Sequence, residues 1–314
     1  AGDYAASPAW QLVVPEARSM EGGVRARATT GPVKHQATLA LTRLDQTQSI
    51  YFATNFPMTV TNIYSPSFTD SVDVSALSPQ RNRYAMTTLS SLAFADVMSM
   101  FDERVQLTLG GRHQWVQAQG FSFATGAPSG APYDMSATTP VVALVLKPHE
   151  RVSLYGNYIE GLSQGRTAPI STAISNPGQV LPPYRTRQKE VGVKADWGRI
   201  TTGLSLFEIT RPSASANSGV YGINGRQRNR GVELTAQGEV ASGVRLLGGA
   251  TWLQGRLAQT ATGLYQGNAA IGQPRYMVNL GGEWDLPGIT GLTATGRVSY
   301  TGSQYANIAN TVQL

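Results

Sequence analysis

The sequence predicts an all-β fold, an antiparallel up-and-down β-barrel that crosses a membrane with its strands. Three observations predict it. Apolar and polar residues alternate with a period of two in one segment after another, helical periodicity is hard to find, and short connections alternate with long ones along the chain. Barrels of outer membranes have strands of about ten alternating residues, short turns at one rim and long loops at the other. In a soluble sandwich, long connections have no reason to fall on every second link.

The composition is unusual for a soluble protein of 314 residues. Charged residues make up 14% of the chain, well below the usual quarter, while glycine is abundant at 34 residues. No run of about 18 apolar residues is present, so a membrane-spanning helix is not expected, and no signal peptide is visible at the N-terminus. The net charge of +6 comes from single Lys and Arg residues rather than from a basic tract, which disfavours nucleic acid as a partner.

Taken in chain order, the alternating segments give about twelve predicted strands, each with one apolar and one polar face. The most regular segments have these apolar positions: Val24, Ala26 and Ala28; Ala37, Leu39 and Leu41; Val105, Leu107 and Leu109; Val152 and Leu154; Val191 and Val193; Val232, Leu234 and Ala236; Tyr276, Val278, Leu280 and Trp284; Leu292, Ala294, Val298 and Tyr300. Residues 141–146 are apolar on both faces, and 88–97 and 203–209 are ambiguous.

The connections between these segments fall into two classes. The predicted short turns lie at 31–32, 101–103, 147–150, 196–199, 239–243 and 286–290. The predicted long loops cover about 53–82, 125–136, 163–184, 212–225 and 258–272. Long loops without structure argue against most strand assignments, but outer-membrane barrels are expected to have them at one rim.

The polar face of the strands indicates which side meets lipid. It carries Arg and Glu among Thr, Ser, Gln and Gly, as expected of a hydrated or protein-filled interior. Aromatic residues near strand ends, such as Trp252 and Trp284, fit the aromatic girdles of a barrel. We therefore expect the apolar face to contact lipid. Five cations are predicted to face the interior: Arg25, Arg27, Arg112, Arg245 and Arg297.

Several motifs, in their order and spacing, resemble the C-terminal barrel of TonB-dependent siderophore receptors. Three of them are "KPHERVSLYGNYIEGLSQG", "RQKEVGVKADWGRITTGLSLFEITRP" and "RQRNRGVELTAQGEVASGVRLLGGATW". The segment "GQPRYMVNLGGEWDLPGITGLTATGRVSYTGSQYANIANT" resembles the next hairpin of the family, and "RVQLTLGGRHQW" an earlier strand. Each motif is weak alone, whereas the ordered set is specific, most strongly from about residue 103 onward.

The resemblance implies a bacterial outer-membrane receptor that takes up ferric siderophores with energy delivered by TonB. Family barrels have about 22 strands around a plugged lumen. Residues 1–314 are therefore expected to be an incomplete barrel domain without the plug, the TonB box, several earlier strands and the closing strands. An open barrel leaves two unpaired edges that cannot lie in lipid, so the chain alone is not expected to transport. The expected partners are a ferric siderophore, TonB acting through the plug, and outer-membrane lipid.

Neither enzyme activity nor a cofactor or metal site is expected, since the resemblance implies that iron arrives already chelated, as cargo. The three histidines lack metal-ligand spacing, and the G-x-S-x-G motif at 161–165 is not followed by the helix that a nucleophile elbow needs. Two alternatives stay open. One is a passive porin-type barrel, and the other is a soluble β-sandwich that acts as an adhesin or a secreted enzyme.

Ligand contacts are expected from aromatic residues in the outer loops, which suit a hydroxamate or catecholate complex. The candidates are Tyr64, Tyr133, Tyr184, Tyr221 and Tyr265. The five interior arginines have two interpretations. They pair with interior carboxylates or with the plug, or they draw anionic ferric complexes inward.

Strand parity gives a further candidate site on the outside. Following the apolar register of two strands back toward their long loops leads to six cations: Arg185, Arg187, Lys189, Arg226, Arg228 and Arg230. Long cationic side chains at the outer rim could snorkel above the apolar band and bind lipopolysaccharide phosphates by charge-assisted hydrogen bonds. The plainer interpretation is that they are solvated loop ends.

Overall fold

The computed structural model describes residues 2–6, 10–53, 59–66, 81–122 and 124–314. The strands within these ranges are β1 (Asp3–Ala6), β2 (Trp10–Thr30), β3 (Val33–Ala53), β4 (Thr59–Asn62), β5 (Arg81–Met100), β6 (Val105–Phe121), β7 (Pro128–His149), β8 (Val152–Ser163), β9 (Tyr184–Asp196), β10 (Ile200–Asn217), β11 (Val220–Ala241), β12 (Val244–Gln259), β13 (Tyr276–Asp285) and β14 (Thr293–Thr301). In the described part of the chain, no helix has the length and hydropathy needed to cross a membrane.

Twelve of the strands form one sheet in which each strand lies beside its neighbour in sequence. The order is β14-β13-β12-β11-β10-β9-β8-β7-β6-β5-β3-β2, while β1 and β4 pair in a separate antiparallel sheet. Successive strands from β7 to β14 pair antiparallel. Antiparallel neighbours can be joined by very short turns, as they are after β7, β9, β10 and β11. The predicted up-and-down order of about twelve strands is confirmed.

The chain divides into two units. The first comprises 1–22, 41–91 and 115–136, and in its described residues the buried apolar side chains are those of Ile50, Val116 and Tyr133. The second comprises 23–40, 92–114 and 137–314 and contains all of β8 to β14. Its described buried apolar residues lie in loops or at the start of β9: Ala168, Ile174, Leu181, Tyr184 and Ala270.

Strand register confirms the two faces that alternation predicts, because directly opposed residues on neighbouring strands share a face. One row crosses β7 to β14 and is apolar throughout: Leu146, Leu154, Val193, Leu204, Leu234, Ala250, Val278 and Tyr300. The adjacent row on the opposite face is Ser153, Lys194, Gly203, Thr235, Gly249, Asn279 and Ser299. One side of this part of the sheet is therefore apolar and the other polar.

The apolar face is exposed rather than packed into a core. Leu206, Leu234 and Leu280 are 52%, 51% and 48% exposed. A contiguous apolar surface of this kind is unfavourable in water, by about 25 cal/mol for each Å². The soluble-sandwich alternative required Val232, Leu234, Val278 and Leu280 to lie inside a closed core, and the exposure of this face contradicts it.

The ambiguous segment 203–209 lies in β10, where Leu206 is on the apolar face and Phe207 on the polar face. The Phe207 ring covers Gly231 of β11, where a Cβ would lie 2.4 Å from the ring and 2.7 Å from the Trp252 carbonyl oxygen. An aromatic ring over a strand glycine fills the space that the missing side chain leaves. This apolar ring on the polar face explains why the period-two pattern is lost here.

One predicted long loop, 212–225, is wrong. Its residues continue β10 and β11 as a paired hairpin with its turn at Ser218 and Gly219, whose φ angles are 49° and 78°. Positive φ at both central residues is characteristic of the type I′ turn, which matches the twist of paired strands. The stretch carries small polar residues on both faces, so it has no apolar alternation by which a strand could be recognised.

A second predicted long loop, 125–136, is also wrong, because β7 begins at Pro128 and only 122–127 connect it to β6. The predicted loops 163–184 and 258–272 are present as 164–183 and 260–275. Of the predicted loop 53–82, residues 54–58 and 67–80 lie outside the described part of the chain, and the described remainder includes β4. The short turns lie within three residues of their predicted limits, at 31–32, 101–104, 150–151, 197–199, 242–243 and 286–292.

The contact between Phe207 and Gly231 gives a test of the fold. Gly231→Ala in the intact protein is expected to lower the free energy of unfolding by roughly 1–3 kcal/mol, because the added Cβ meets a backbone oxygen as well as the ring. Denaturant unfolding in detergent measures it. Gly161→Ala is the matched control, since a Cβ at this strand glycine meets nothing within 4 Å. Equal stabilities for the two variants would contradict the close approach.

Candidate functional site

The outward, apolar face changes character along the strands of the second unit. The row next to the one through Leu234 contains Val191, Leu206, Val232 and Trp252. Two residues farther toward loop 164–183, the opposed residues are Tyr158, Lys189, Glu208, Arg230 and Gln254. The row after that is Glu160, Arg187, Thr210, Arg228 and Arg256. An apolar band thus gives way to a charged band within two residues.

Register places all six rim cations predicted from parity on the same side of the sheet as the apolar rows, on β9 and β11, which both pair with β10. Arg185 lies opposite Leu162 and Arg226 opposite Pro212, one step beyond the two charged rows. We call the six residues, together with Arg256, the basic rim: Arg185, Arg187, Lys189, Arg226, Arg228, Arg230 and Arg256. Strand parity in the sequence did not identify Arg256. The β11–β12 register shows that Arg256 lies directly opposite Arg228.

Two carboxylates neutralise part of the basic rim. Glu160, whose side chain is only 7% exposed, lies 3.1 Å from Arg187 and 3.5 Å from Arg185, and it accepts a hydrogen bond from the Tyr158 hydroxyl at 2.6 Å. Glu208 accepts a 2.5 Å hydrogen bond from Arg230. These ion pairs hold the long Arg side chains in place on the sheet. Because the side chains are already ordered, they lose less rotamer entropy on binding a ligand than free Arg side chains would.

The remaining cations of the basic rim retain unmatched charge. Lys189, Arg226 and Arg228 have no carboxylate within 4.0 Å in the described residues, and an Nη1 of Arg256 donates to the Gly267 carbonyl oxygen at 2.7 Å. Seven cations and two carboxylates leave this patch with a formal charge of +5. A cluster of this kind attracts anions, and guanidinium groups match phosphate or carboxylate oxygens in a bidentate way.

A groove of about 360 Å³ joins the two bands. Val191, Leu206, Val232 and Trp252 give it apolar walls, and Lys189, Glu208 and Arg230 line its charged end. Apolar walls ending in cations suit an amphiphile that has an acyl chain and an anionic head.

Register places two of the five predicted interior arginines, Arg245 and Arg297, on the polar face, and the interior position of Arg25, Arg27 and Arg112 stays a prediction. Arg245 and Arg297 lie opposite Glu283 and Gly281. Arg245 is already neutralised, since its guanidinium lies 2.9 Å from Glu283 and 2.7 Å from Asp285. Arg25 and Arg27 share the face of Gly23, where a Cβ would meet the Ala40 Cβ at 3.6 Å. Arg112 lies on the opposite side of β6 from His113 by alternation.

The polar face also holds a cluster that sequence analysis did not single out. The Tyr155 hydroxyl donates to Glu190 at 2.6 Å, Gln188 donates to the other oxygen of Glu190 at 2.9 Å, and the Lys194 ammonium lies 5.4 Å from the Tyr155 ring centroid. The Tyr155 ring lies over Gly192, where a Cβ would come within 2.6 Å of it. The pairing is visible only in the register, because these residues come from two strands joined by a long loop.

The predicted ligand tyrosines lie in different surroundings. Tyr64 is exposed, Tyr265 lies in loop 260–275 with a φ of 60°, and Tyr221 is half-buried. Tyr133 and Tyr184 are 3% and 5% exposed, so their rings contact protein rather than solvent in this chain. Tyr64 and Tyr133 belong to the first unit, and Tyr184, Tyr221 and Tyr265 belong to the second.

Two asparagines that sequence analysis missed fold the loops of the second unit. Tyr221 N–H donates to Asn176 Oδ1 and Asn176 Nδ2 donates to the Tyr221 carbonyl, both at 2.8 Å. Asn310 makes the same two-bond clamp on Ala269, at 2.8 and 3.1 Å. The Asn-Pro dipeptide at 176–177 marks a turn in the sequence, but no sequence signal gives its distant partner.

The histidines occupy ordinary polar contacts. His35 Nδ1 lies 2.7 Å from Asp96 Oδ2, and His113 Nδ1 lies 2.8 Å from Thr138 Oγ1, while His149 accepts the Arg151 N–H. In the described ranges, no group of three His, Cys, Asp or Glu side chains is placed to hold a metal ion. The G-x-S-x-G motif ends β8, and irregular loop rather than helix follows it at 164–183.

Comparison with known proteins places this geometry in a family. Residues 15–314 match the family model for the TonB dependent receptor-like β-barrel. The ferrichrome receptor FcuA of Yersinia enterocolitica is 38% identical over the whole chain, which covers 42% of that relative. The ferrichrome outer membrane transporter/phage receptor of Escherichia coli K12 is 23% identical over 94% of the chain, which covers 40% of it.

A solved receptor structure is similar to the chain in fold and in sequence. The ferric preacinetobactin receptor BauA from Acinetobacter baumannii aligns with 99% of the chain at a TM-score of 0.84 and 35% identity, and the chain covers 47% of it. The chain therefore spans less than half the length of the relatives it matches. The chain belongs to the TonB-dependent receptors and forms part of their outer-membrane β-barrel.

Proposed function

We propose that the protein containing this barrel segment imports ferric siderophores across the outer membrane, with energy delivered by TonB through a plug domain. The observation that carries the proposal is the 35–38% identity over essentially the whole chain to two receptors named for ferric siderophores. The chelate is captured at the loop side and iron is cargo throughout, so no covalent step is involved. The polar face with its Arg residues and the Tyr155 cluster is proposed to contact the plug.

Transport is testable in the organism that carries the gene. Deleting the gene for the intact receptor is expected to abolish growth and uptake of ⁵⁵Fe on at least one ferric siderophore in a panel that includes ferrichrome. A proton ionophore is expected to stop uptake in the wild type, because TonB-dependent import needs energy. Uptake that persists with the ionophore would instead favour the passive-barrel alternative.

We further propose that the basic rim and its groove bind lipopolysaccharide. The groove offers apolar walls for acyl chains at the level where the apolar band ends. Lys189, Arg226 and Arg228 form no ion pair within 4.0 Å in the described chain, so their charges can be met by a bound anion. Each charge-assisted hydrogen bond to a phosphate oxygen is about twice as strong as a neutral one. The row of Arg187, Arg228 and Arg256, which crosses β9, β11 and β12, suits several phosphates of one lipid.

A matched pair of triple variants tests the rim. Lys189→Gln, Arg226→Gln and Arg228→Gln together are expected to lower the lipopolysaccharide phosphate that co-purifies with the intact receptor by at least about twofold, because three unneutralised cations are lost. The control is Arg25→Gln, Arg27→Gln and Arg297→Gln, which removes the same charge from the polar face.

Two results would count against the rim proposal. One is that equal amounts of lipopolysaccharide phosphate co-purify with both triple variants. The other is a rim variant that loses phosphatidylglycerol binding in vesicles but retains lipopolysaccharide, which would assign the site to other anionic lipids.

The assignment of the apolar face to lipid has its own test. Leu234→Arg is expected to lower the free energy of unfolding in bilayers by about 2–4 kcal/mol, since it places a charge in the hydrocarbon. Thr235→Arg, on the opposite face of the same strand, is expected to cost less than about 1 kcal/mol. Unfolding in lipid vesicles measures both. A larger cost at Thr235 would reverse the faces.

A further inference from the structure

A cavity of about 370 Å³ lies between the end of β12, loop 260–275 and residues 303–313, all within the second unit. Its walls are fixed by backbone hydrogen bonds from Ala270 N to Gly255 O at 3.0 Å and from Gly272 N to Tyr305 O at 3.0 Å. The Asn310 clamp on Ala269 ties the last segment to the loop. The cavity is therefore built by two loops that hold each other.

The lack of a side chain at Gly255 leaves room for the Gln273 side chain at the floor of this cavity. A Cβ there would lie 2.6 Å from Gln273 Oε1 and 3.1 Å from Asn229 Oδ1. Gly255 lies opposite Asn229, on the polar face of the sheet, so Gln273 approaches from the interior side. Any larger residue at 255 would displace the Gln273 amide.

The lining has a consistent chemistry. Its charged residues are Arg256 and Arg275, with no carboxylate among the described lining residues, and the remaining polar groups are mostly amides, including those of Asn268, Gln273 and Gln313. Gln273 Oε1 is buried without a hydrogen-bond partner in the described part of the chain. A buried acceptor without a partner is unfavourable, and a bound donor would satisfy it.

We propose that this cavity binds one arm of the iron chelate: an uncharged or anionic group with carbonyl or carboxylate oxygens and at least one N–H or O–H donor. The oxygens accept from Arg275 and from the amide N–H groups, and the donor meets Gln273 Oε1. At about 370 Å³ the cavity is near the lower limit of ligand pockets, so it takes a peripheral arm rather than a whole chelate. The inference rests on the proposed import of ferric siderophores.

The absence of acidic lining residues gives the cavity its selectivity. A cationic arm would meet the Arg275 guanidinium, and the described lining residues offer no carboxylate to balance it. An arm without a donor would leave Gln273 Oε1 unsatisfied, and sites that hydrogen-bond a ligand group discriminate strongly against analogues that lack it. Amide-bearing chelates meet both requirements.

Binding of ferrichrome, the chelate for which two relatives are named, tests the proposal in the purified intact receptor. Gln273→Leu and, separately, Arg275→Gln are each expected to weaken binding roughly tenfold, because each removes one buried polar partner. Gln266→Leu is the matched control, since Gln266 is exposed in the same loop and does not line the cavity. Its affinity is expected to equal that of the wild type.

The outcomes separate the two proposals. Wild-type binding that both cavity variants retain in full would overturn the cavity inference and leave the import proposal standing. A wild type that binds neither ferrichrome nor any other ferric siderophore in a panel would overturn both. Loss of binding in Gln266→Leu as well would assign the effect to the folding of the loop and overturn the assignment to the cavity.

Discussion

Successive side chains of a β-strand point to opposite sides, and the pairing of twelve strands in register turns this local rule into two chemically different surfaces. The row through Leu154, Leu204 and Leu234 stays apolar across eight strands because each of its residues pairs directly with the next one along the row. A slip of one residue in any strand would move its apolar residues to the polar side. Both the membrane surface and the interior of the barrel depend on that register.

The same constraint arranges chemistry along the strands as well as across them. On the outward face, two residues separate Val191 from Lys189 and Val232 from Arg230, and the neighbouring strand adds Glu208. Hydrocarbon excludes unpaired charge, so the boundary between these residues defines a level at which an amphiphile can lie with its head among cations. Ion pairs to Glu160 and Glu208 position part of the rim, and the remaining cations stay available.

Above the sheet, the loops have their own structure. Asn176 and Asn310 each use one side-chain amide as if it were a backbone peptide, accepting and donating to a residue more than 40 positions away in sequence. Asn310 lines the cavity at loop 260–275, and Tyr184, which follows loop 164–183 in the chain, is 5% exposed. Ordered loops cost less entropy on ligand binding than flexible ones, which favours a pre-formed binding surface.

The sequence by itself determined the fold class, the approximate number of strands, the two faces and the outward position of Arg187 and Arg228, because period-two alternation is a local property of the chain. It failed at 212–225 and 125–136, where strands rich in Ser, Gly, Ala, Asn and Pro carry no regular apolar alternation. Only the tertiary structure decided what depends on pairing between distant segments: the place of Arg256 beside Arg228, the cover of Phe207 on Gly231, the burial of Tyr133, and the cavity around Gln273. Register and loop packing set these, and neither can be read from one strand at a time.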